Sequence, residues 1–321
     1  MRRLLPLFCV ASLALACAGA ALAGNGGLAP PSPASPQAHD IRQIYWLILG
    51  ITAAIFILVE VTLAIFVVRY RSRGRPREVE GPQIRGHTNL ELAWTAGPVL
   101  ILAVIAAFVL YKASAIRSAP VGAPQDKITI VAHQFYWEFV YPNGAISVDT
   151  LRLPYNRKVD LVIRSADVAH SWWVPSLAGK MDAIPGRVNH LSFRAVKLGA
   201  FPGRCAEFCG LQHTDMTATV LVLPPDRYDE FVRQRPAQPQ ALARETFTGV
   251  CAKCHGLAGQ GDIGPPIAGN PLLADPAALT LLLQHGRGRM PAVGADWEPT
   301  QLSATLAYLK KRFHGGGTSG G

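Results

Sequence analysis

Two long apolar runs constrain the fold of this chain more than any other feature. Residues 44–68 are apolar apart from Glu60, and residues 93–111 form a second run without a charged side chain. A helix of about 20 apolar residues crosses the hydrocarbon core of a bilayer, and two buried helices of a soluble domain would not need such length. We therefore predict a membrane hairpin over 41–112, with these runs as its spans and 69–90 as its loop. Glu60 is interpreted as a contact to a neighbouring subunit's helix, the alternative being a functional site.

Arginine sets the orientation of the hairpin. The formal net charge is +10, from 31 Lys and Arg against 21 Asp and Glu. Eight of the arginines lie where targeting and topology signals belong, at Arg2, Arg3, Arg69, Arg71, Arg73, Arg75, Arg77 and Arg85. Because arginine-rich loops stay on the cytoplasmic side, loop 69–90 is expected there, and the chain after Lys112 is expected outside the cytoplasm. The basic balance is thus explained by topology, and it does not indicate a nucleic-acid partner.

The N-terminal segment is typical of an exported protein. Residues 1–23 begin with two arginines, continue with an apolar run and end in Ala-Leu-Ala, which predicts a cleaved secretory signal peptide. An alternative makes Cys17 a lipidated N-terminus, but the residues before it fit a lipoprotein signal poorly. The following segment, 24–40, is rich in Gly, Pro, Ser and Ala and is predicted to be flexible.

The region from residue 126 to residue 223 has a different pattern, with short β-branched or aromatic segments separated by Pro, Gly and Asn turns. These segments are 128–132, 135–141, 159–164, 189–193 and 217–223. Several short strands over about 100 residues predict an all-β Greek-key barrel or sandwich. Because this domain follows the second span, we expect it on the outer face of the membrane.

A soft ligand set lies near the end of the β region. Between Cys205 and Met216 the chain carries two thiols, one imidazole and one thioether, with Cys209 and His213 as the other two donors. Such ligands select copper, but a single blue-copper site uses one Cys with two His. Two copper ions bridged by both sulfurs would use both thiolates, and His170 is the best candidate for the second imidazole. A disulfide between the cysteines and a zinc site are the alternatives, although neither gives the thioether a role.

A second redox motif lies further along the chain. Cys251-Ala-Lys-Cys254-His255 is the C-x-x-C-H pattern of covalent c-type haem attachment. Two thiols one helical turn apart bond the vinyl groups, and the adjacent histidine binds the iron. Met290 is predicted to be the opposite axial ligand, with His285 as its competitor, and His/Met ligation suits an electron carrier. A zinc or redox C-x-x-C pair is the alternative.

Over residues 41–223 the sequence resembles subunit II of haem–copper cytochrome c oxidases. The matching strings are Cys205-x-Glu207-x-Cys209-Gly210-x-x-His213-x-x-Met216, Asp167-Val168-x-His170-Ser171-Trp172, Val174-Pro175-Ser176-Leu177 and Lys180-x-Asp182-Ala183-Ile184-Pro185-Gly186-Arg187. The resemblance implies a cupredoxin fold and a dinuclear copper (CuA) centre. Its ligands would be His170, Cys205, Cys209, His213, Met216 and the backbone carbonyl of Glu207. It also implies a magnesium ion bound by the Glu207 carboxylate at the border with subunit I.

Two shorter strings of the same family match less fully. Residues 90–98 are similar to the beginning of the family's second span, where Glu91 would lie at the mouth of a proton pathway into subunit I. The alternative is a helix-start carboxylate favoured by the helix dipole. In residues 133–137, Phe135 stands where relatives that accept electrons from a separate soluble cytochrome c typically have Trp. The fused C-terminal motif suggests a reason for this departure.

Residues 241–312 resemble a class I cytochrome c. The loop 264–269 is similar to the proximal loop of that family, whose proline carbonyl orients the ligand histidine, and 302–312 is similar to its C-terminal helix. We therefore predict a linker or short helix at 224–243, a small all-α cytochrome c domain at 244–314 and a disordered tail at 315–321.

The combined expectation is subunit II of a bacterial cytochrome c oxidase with a fused cytochrome c. Electrons from an external donor, a cytochrome c or a bc1-type complex, would pass through the covalent haem and two copper ions to subunit I. There, outside this chain, oxygen would be reduced to water with proton translocation. The tether makes electron delivery to copper intramolecular.

The same resemblance implies the setting and leaves alternatives. The chain would lie in the bacterial inner membrane with its copper and haem domains on the periplasmic face, bound to subunit I and other oxidase subunits. The alternatives are the electron-accepting subunit of a CuA-type nitric oxide reductase, and a membrane-anchored electron carrier or copper-delivery protein acting alone. A quinol oxidase subunit is disfavoured because that branch lacks the copper ligands.

Overall fold

The structure is a computed structural model that describes residues 29–71, 83, 85–117 and 126–313. The predicted signal peptide, most of the arginine-rich loop and the predicted tail lie outside the described residues. The chain divides into two compact units, one formed by 1–31 and 39–118 and the other by 32–38 and 119–321. Each unit has its own architecture.

The first unit contains two long apolar helices, α1 (Pro36–Arg69) and α2 (Thr88–Arg117). Their most apolar 18-residue windows have mean hydropathies of 2.7 and 2.4, and no residue of those windows is buried. With 34 residues, α1 is about 51 Å long, more than a bilayer core requires. An ion pair of 2.8 Å between Lys112 Nζ and Asp40 Oδ1 joins the late part of α2 to the early part of α1, as a hairpin requires.

The second unit begins with a two-layer β structure. Its strands are β1 (Asp126–His133), β2 (Tyr136–Val140), β3 (Ile146–Val148), β4 (Thr150–Pro154), β5 (Lys158–Ser165), β6 (His170–Trp173), β7 (Met181–Ala183), β8 (Asn189–Arg194), β9 (Gly199–Cys205) and β10 (Thr217–Leu223). One sheet has the order β3-β2-β1-β5-β8, and the other has the order β4-β10-β9-β6-β7. β1 pairs with β5, and β4 with β10, in parallel. The all-β prediction for this region is confirmed.

The alternation of side chains explains why the two sheets pack together. In β5, Val159, Leu161 and Ile163 are buried, whereas the residues between them are partly or fully exposed. β10 alternates in the same way. Because successive side chains of a strand point to opposite faces, each strand contributes one apolar face to a common core. The fully buried rings of Trp137 and Trp172 pack edge to face in that core, with centroids 5.0 Å apart.

Helices follow the last strand. They are α3 (Pro225–Gln234), α4 (Pro239–Thr246), α5 (Ala252–His255), α6 (Pro276–His285) and α7 (Pro299–Phe313), with a π-helical turn at Phe247–Cys251 between α4 and α5. The segment predicted as a linker or short helix thus contains α3 and the first half of α4. The ring of Phe247 lies 5.7 Å from that of Tyr308, so the C-terminal helix packs against the turn that precedes the haem motif.

The strands and the C-terminal helices share a hydrophobic core. Tyr136, Ile146 and Val148 of β2 and β3 are buried in the same cluster as Phe247 and Leu309. The Tyr136 hydroxyl donates to the carbonyl of Val293 and accepts from the indole of Trp297, at 2.8 and 3.0 Å. The C-terminal helices therefore pack against strands β2 and β3 and are not joined to the β domain by a flexible linker alone.

Candidate metal centres

The predicted copper loop runs between two neighbouring strands. Cys205 ends β9, Met216 directly precedes β10, and the backbone N–H of Cys205 donates to the Met216 carbonyl at 2.9 Å. Residue 170 begins β6, whose Trp172 pairs with Cys205 across the sheet. This register brings His170 to the loop although 35 residues separate it from Cys205 in sequence.

The predicted copper ligands form one cluster. The donor atoms of His170, Cys205 and Cys209 all lie within 4.8 Å of one another. Cys205 Sγ is 3.8 Å from His170 Nδ1 and donates to the Glu207 carbonyl at 3.1 Å. The other cysteine faces the remaining two predicted ligands. Cys209 Sγ is 3.6 Å from Nδ1 of His213 and 3.7 Å from the Met216 sulfur. Each sulfur thus faces one imidazole and one further donor.

The imidazole of His170 is oriented by Asp167. Its Nε2 donates to Asp167 Oδ1 at 2.8 Å, which leaves the Nδ1 lone pair directed toward Cys205. Burial lowers the pKa of His170, but its hydrogen bonds and charge interactions with Asp167 and Cys205 together outweigh burial and raise it. The carboxylate is held in turn by the backbone N–H groups of Gln134 and Val168, both at 2.6 Å. Although burial opposes it, these bonds lower the pKa of Asp167.

The two cluster thiols differ in acidity. Burial opposes ionisation of Cys205, but the hydrogen bond with His170 and backbone hydrogen bonds lower its pKa to about 7. Burial and the charge of Cys205 raise the pKa of Cys209. All four described cysteines are free thiols. Cys205 and Cys209 therefore do not form the disulfide that was the alternative to a metal site. Their thiols, the imidazoles and the thioether are ligands that suit soft metal ions.

Two predictions on glutamate remain open. The Glu207 backbone faces the cluster, whereas the residue is exposed, so its carboxylate is accessible to a ligand from outside the described residues. Glu91 lies in the first turn of α2, where its Oε1 accepts the backbone N–H of His87 at 3.1 Å. That bond is typical of a helix-start carboxylate, the alternative reading of Glu91. Glu60 is exposed on α1.

The haem motif forms the end of a helix. Cys251 is buried, and Cys254 and His255 are half-buried one turn later on α5. His255 Nδ1 donates to the Pro265 carbonyl at 2.6 Å, which leaves Nε2 with a lone pair. A Cβ on Gly264 would approach the His255 ring to 2.7 Å, so glycine permits this close contact of loop and imidazole. The proline contact implied by the resemblance is present, and these residues fit a covalent haem.

The two candidates for the opposite axial ligand have different surroundings. Met290 is half-buried against the helical core, in a tight turn closed by backbone hydrogen bonds to Arg287 in both directions. His285 is exposed at the end of α6, and its Nδ1 donates to the Leu281 carbonyl one turn back. The two candidates thus differ in exposure and in local hydrogen bonding, and Met290 as the axial ligand stays a prediction.

Several polar contacts around the two motifs could not be predicted from the sequence. Gln212 connects the copper loop to Cys254, and Lys253 forms an ion pair with Asp149. Asp167 could have been suspected from the sequence, because a metal-binding histidine commonly donates its second ring N–H to a carboxylate.

Models of known protein families match most of the chain. The family model for the transmembrane domain of cytochrome C oxidase subunit II matches residues 23–111, and the model for its periplasmic domain matches residues 144–222. The model for cytochrome C oxidase, cbb3-type, subunit III matches residues 238–309. These matches agree with the helices, the sheets and the C-terminal helical part in their order along the chain.

Individual relatives carry the same name. Cytochrome c oxidase subunit 2 of Alkalihalophilus pseudofirmus is 32% identical over 257 residues, covering 76% of this chain and 75% of the relative. That of Thermostichus vulcanus is 30% identical over 258 residues, covering 64% and 78%. The crystal structure of the periplasmic domain of subunit II of the Bradyrhizobium japonicum cytochrome oxidase is 26% identical, covers 37% of this chain and 99% of that chain, and has a TM-score of 0.36.

The matches confirm three predictions from the sequence. The chain is a membrane-anchored protein with two spanning helices and a periplasmic domain. It has a cupredoxin-like β domain followed by a cytochrome c domain, and its role is in electron transport. Its relatives are subunits of oxidase complexes, and the two domain types imply copper and haem. The chain belongs to the cytochrome c oxidase subunit 2 family.

Proposed function

We propose that this chain receives electrons from an external donor through a covalent haem c and passes them through a dinuclear copper centre to subunit I of a bacterial inner-membrane oxidase. In subunit I, oxygen would be reduced to water with proton translocation. One observation carries this proposal: two free thiols, each facing its own imidazole, lie in one buried cluster of a chain that also carries C-x-x-C-H.

The copper pair would be held by six groups. These are the side chains of His170, Cys205, Cys209, His213 and Met216 and the carbonyl of Glu207. When bound, the metal pair supplies one-electron redox chemistry at a site shared between two ions. The chain's own contribution is to keep the Met216 thioether and the His170 imidazole buried and to fix the His170 ring through Asp167. A fixed, water-excluded ligand set reduces the rearrangement that accompanies each electron transfer.

The haem would be bound by residues from three elements. Cys251 and Cys254 would form the thioether bonds, and His255 and Met290 would be the axial ligands. When bound, this group supplies a one-electron carrier whose potential the axial ligands set. The Pro265 carbonyl fixes the His255 ring by holding its Nδ1 proton.

Metal and haem analysis of the full-length chain, purified with its oxidase, tests this function. We expect two copper ions and one covalent haem per chain, with a mixed-valence electron-spin signal shared by two coppers. A single copper ion, or zinc, would contradict the copper assignment. Consumption of nitric oxide in place of oxygen would favour the reductase alternative, and purification without any haem-containing partner subunit would favour a carrier acting alone.

Two finer roles extend this function. Glu91 would admit protons to subunit I, and the exposed Glu207 carboxylate would bind magnesium at the subunit border. Replacing Glu91 by Ala is expected to slow oxygen consumption and to leave the copper spectrum unchanged, whereas the helix-start reading predicts a loss of stability alone. Metal analysis of Glu207→Gln tests the magnesium role, because this substitution keeps the backbone carbonyl that faces Cys205.

A further inference from the structure

The haem-attachment helix contacts the copper loop directly. Gln212, which precedes the copper-ligand candidate His213, is only 5% exposed. Its Nε2 donates to the carbonyl of Lys253 at 3.3 Å, and its Oε1 accepts from Cys254 Sγ at 3.2 Å. The side chain of Gln212 thus connects the copper loop directly to the helix that carries Lys253 and Cys254.

The same helix makes a second contact with the β domain, through Lys253. Lys253, between the two motif cysteines, places its Nζ 2.6 Å from Asp149 Oδ2 and 2.9 Å from the Phe135 carbonyl. Both side chains of the ion pair are largely buried, at 15% and 18% exposure. Asp149 also accepts the backbone N–H of Trp137 at 2.8 Å, which ties the pair to strand β2.

The backbones approach closely at this contact. A Cβ on Gly249 would lie 2.8 Å from Val148 and 3.0 Å from Asp149. A Cβ on Gly210, in the copper loop, would lie 3.1 Å from the ring of Phe135. A larger residue at Gly249 would push the turn before the haem motif away from β3, so glycine permits this close packing, whereas the contact of Gly210 with Phe135 lies within the β domain.

We propose that Gln212 and the Lys253–Asp149 ion pair are positioning residues that lock the haem-bearing helix onto the copper loop. This inference rests on the proposed function and deepens it. With haem and copper bound, each transfer would move one electron from the haem to the copper pair, and the role of these residues would be to hold the two sites at a fixed separation. The electron crosses one fixed contact, and no docking of a mobile domain precedes it.

Haem attachment changes one of these bonds and preserves the others. Cys254 as a thioether has no hydrogen to donate, so its bond to Gln212 Oε1 becomes a packing contact. The bond from Gln212 Nε2 to the Lys253 carbonyl needs no thiol and persists. The ion pair between Lys253 and Asp149 likewise does not depend on the sulfur. It should stabilise the contact more than the Gln212 hydrogen bond does, because a charged hydrogen bond is stronger than a neutral one.

Three variants of the full chain in its oxidase test the lock. Lys253→Met keeps side-chain length and removes the charge, and Gln212→Met keeps length and removes the hydrogen bond to the Lys253 carbonyl. Gln234→Ala is the matched control, because its amide bonds to Glu230 on the exposed face of α3. The measurements are hydrogen exchange of the amides at 251–256 and the rate of haem-to-copper transfer after flash reduction, at increasing solvent viscosity.

We expect faster exchange at 251–256, by at least about tenfold in Lys253→Met and by about threefold in Gln212→Met. The transfer rate should be independent of viscosity in the native chain and in Gln234→Ala, and should fall with viscosity in Lys253→Met, because domain motion then limits it. The copper spectrum of Lys253→Met should stay unchanged. Adding Asp149→Asn should restore part of the lost protection, since the unpaired carboxylate is then removed.

The inference fails if exchange and viscosity dependence in Lys253→Met and Gln212→Met equal those of the native chain. It also fails if the native rate itself falls with viscosity, since the helix is then mobile. Absence of copper or haem from the native chain would instead overturn the proposed function, and the exchange comparison would still decide whether the contact holds the helix.

Discussion

The copper cluster and the haem motif differ in how the chain builds them. His170 and Met216 are fully buried, and both cluster thiols are nearly so, because all four belong to the core between the sheets. In the haem region only Cys251 is buried, whereas His255 and Met290 are half-buried. The β fold fixes the copper ligands through strand register, while the haem residues lie on a short helix and on glycine-rich loops. Most of the predicted copper ligands are therefore buried in the β domain, with His213 half-buried, whereas most of the predicted haem residues are half-buried.

The largest expected effect is the loss of one metal group while the other is retained. In Cys209→Ser one bridging sulfur is lost, so copper content and oxygen consumption should fall by more than about 100-fold, because loss of a ligand exceeds the effect of losing its hydrogen-bond partner. The covalent haem should remain. Cys251→Ser is the converse variant, expected to keep the mixed-valence copper signal and to lose a thioether bond. Copper and haem analysis of both variants checks this, and loss of both groups from either variant would mean that the centres fold as one unit.

The second effect is confined to the haem side. Met290→Leu should keep the covalent haem and lower its reduction potential by on the order of 0.1 V, because the thioether stabilises ferrous iron. His285→Ala should leave the potential unchanged, since its ring is exposed and bonded to its own helix. A redox titration followed by absorbance measures both. The reverse pattern would make His285 the ligand.

The difference between the regions also explains what the sequence could predict. The copper donors from Cys205 to Met216 lie within one short string, and the C-x-x-C-H motif is equally local, so residue types and spacing were enough. His170 required a second string, and its approach to the loop depends on the pairing of β6 with β9. Spacing alone does not specify that register, because a strand pairing depends on the whole sheet.

The contact between the haem-motif helix and the β domain could not be predicted from sequence patterns. Lys253 occupies a variable position of its motif, and its partner Asp149 lies 104 residues earlier. The segment at 224–243 was predicted as a linker or short helix from its prolines and polar residues. It forms α3 and part of α4, because Tyr228 buries its ring in the core of the β domain. Such contacts depend on how two packed elements meet, which no local period encodes.

A smaller effect concerns the rigidity of the copper side. Asp167→Asn should weaken copper binding about 10- to 100-fold, because the amide orients the His170 ring less firmly than the carboxylate does. Asp182→Asn is the matched control, since Asp182 bonds to the hydroxyl of the neighbouring Ser171 at 2.8 Å and not to the imidazole. Competition with a copper chelator measures both. Equal copper retention would show that strand register alone positions His170.

The smallest expected effect is a pH dependence on the haem-facing side of β2. Burial raises the pKa of Glu138 to about 7, against 4.5 as its ordinary value, at the place where β2 meets Gln301 of α7. The folded chain therefore holds this proton more tightly than the unfolded chain, so the stability due to it is fully present below about pH 4.5 and is lost as pH rises to about 7.

Glu138→Gln removes that titration. The variant should be more stable than the native chain at pH 8 by on the order of 1 kcal/mol, and the difference should vanish near pH 4.5. Glu230→Gln, on the exposed face of α3, should show no such change. Urea unfolding of the full chain at both pH values, followed by tryptophan fluorescence, measures the difference. Glu138 and Trp137 point to opposite faces of β2, and it is the Trp137 ring that contacts His170. The copper spectrum should therefore stay constant over this range, and a copper signal that changes with Glu138 would show that its protonation affects the copper site.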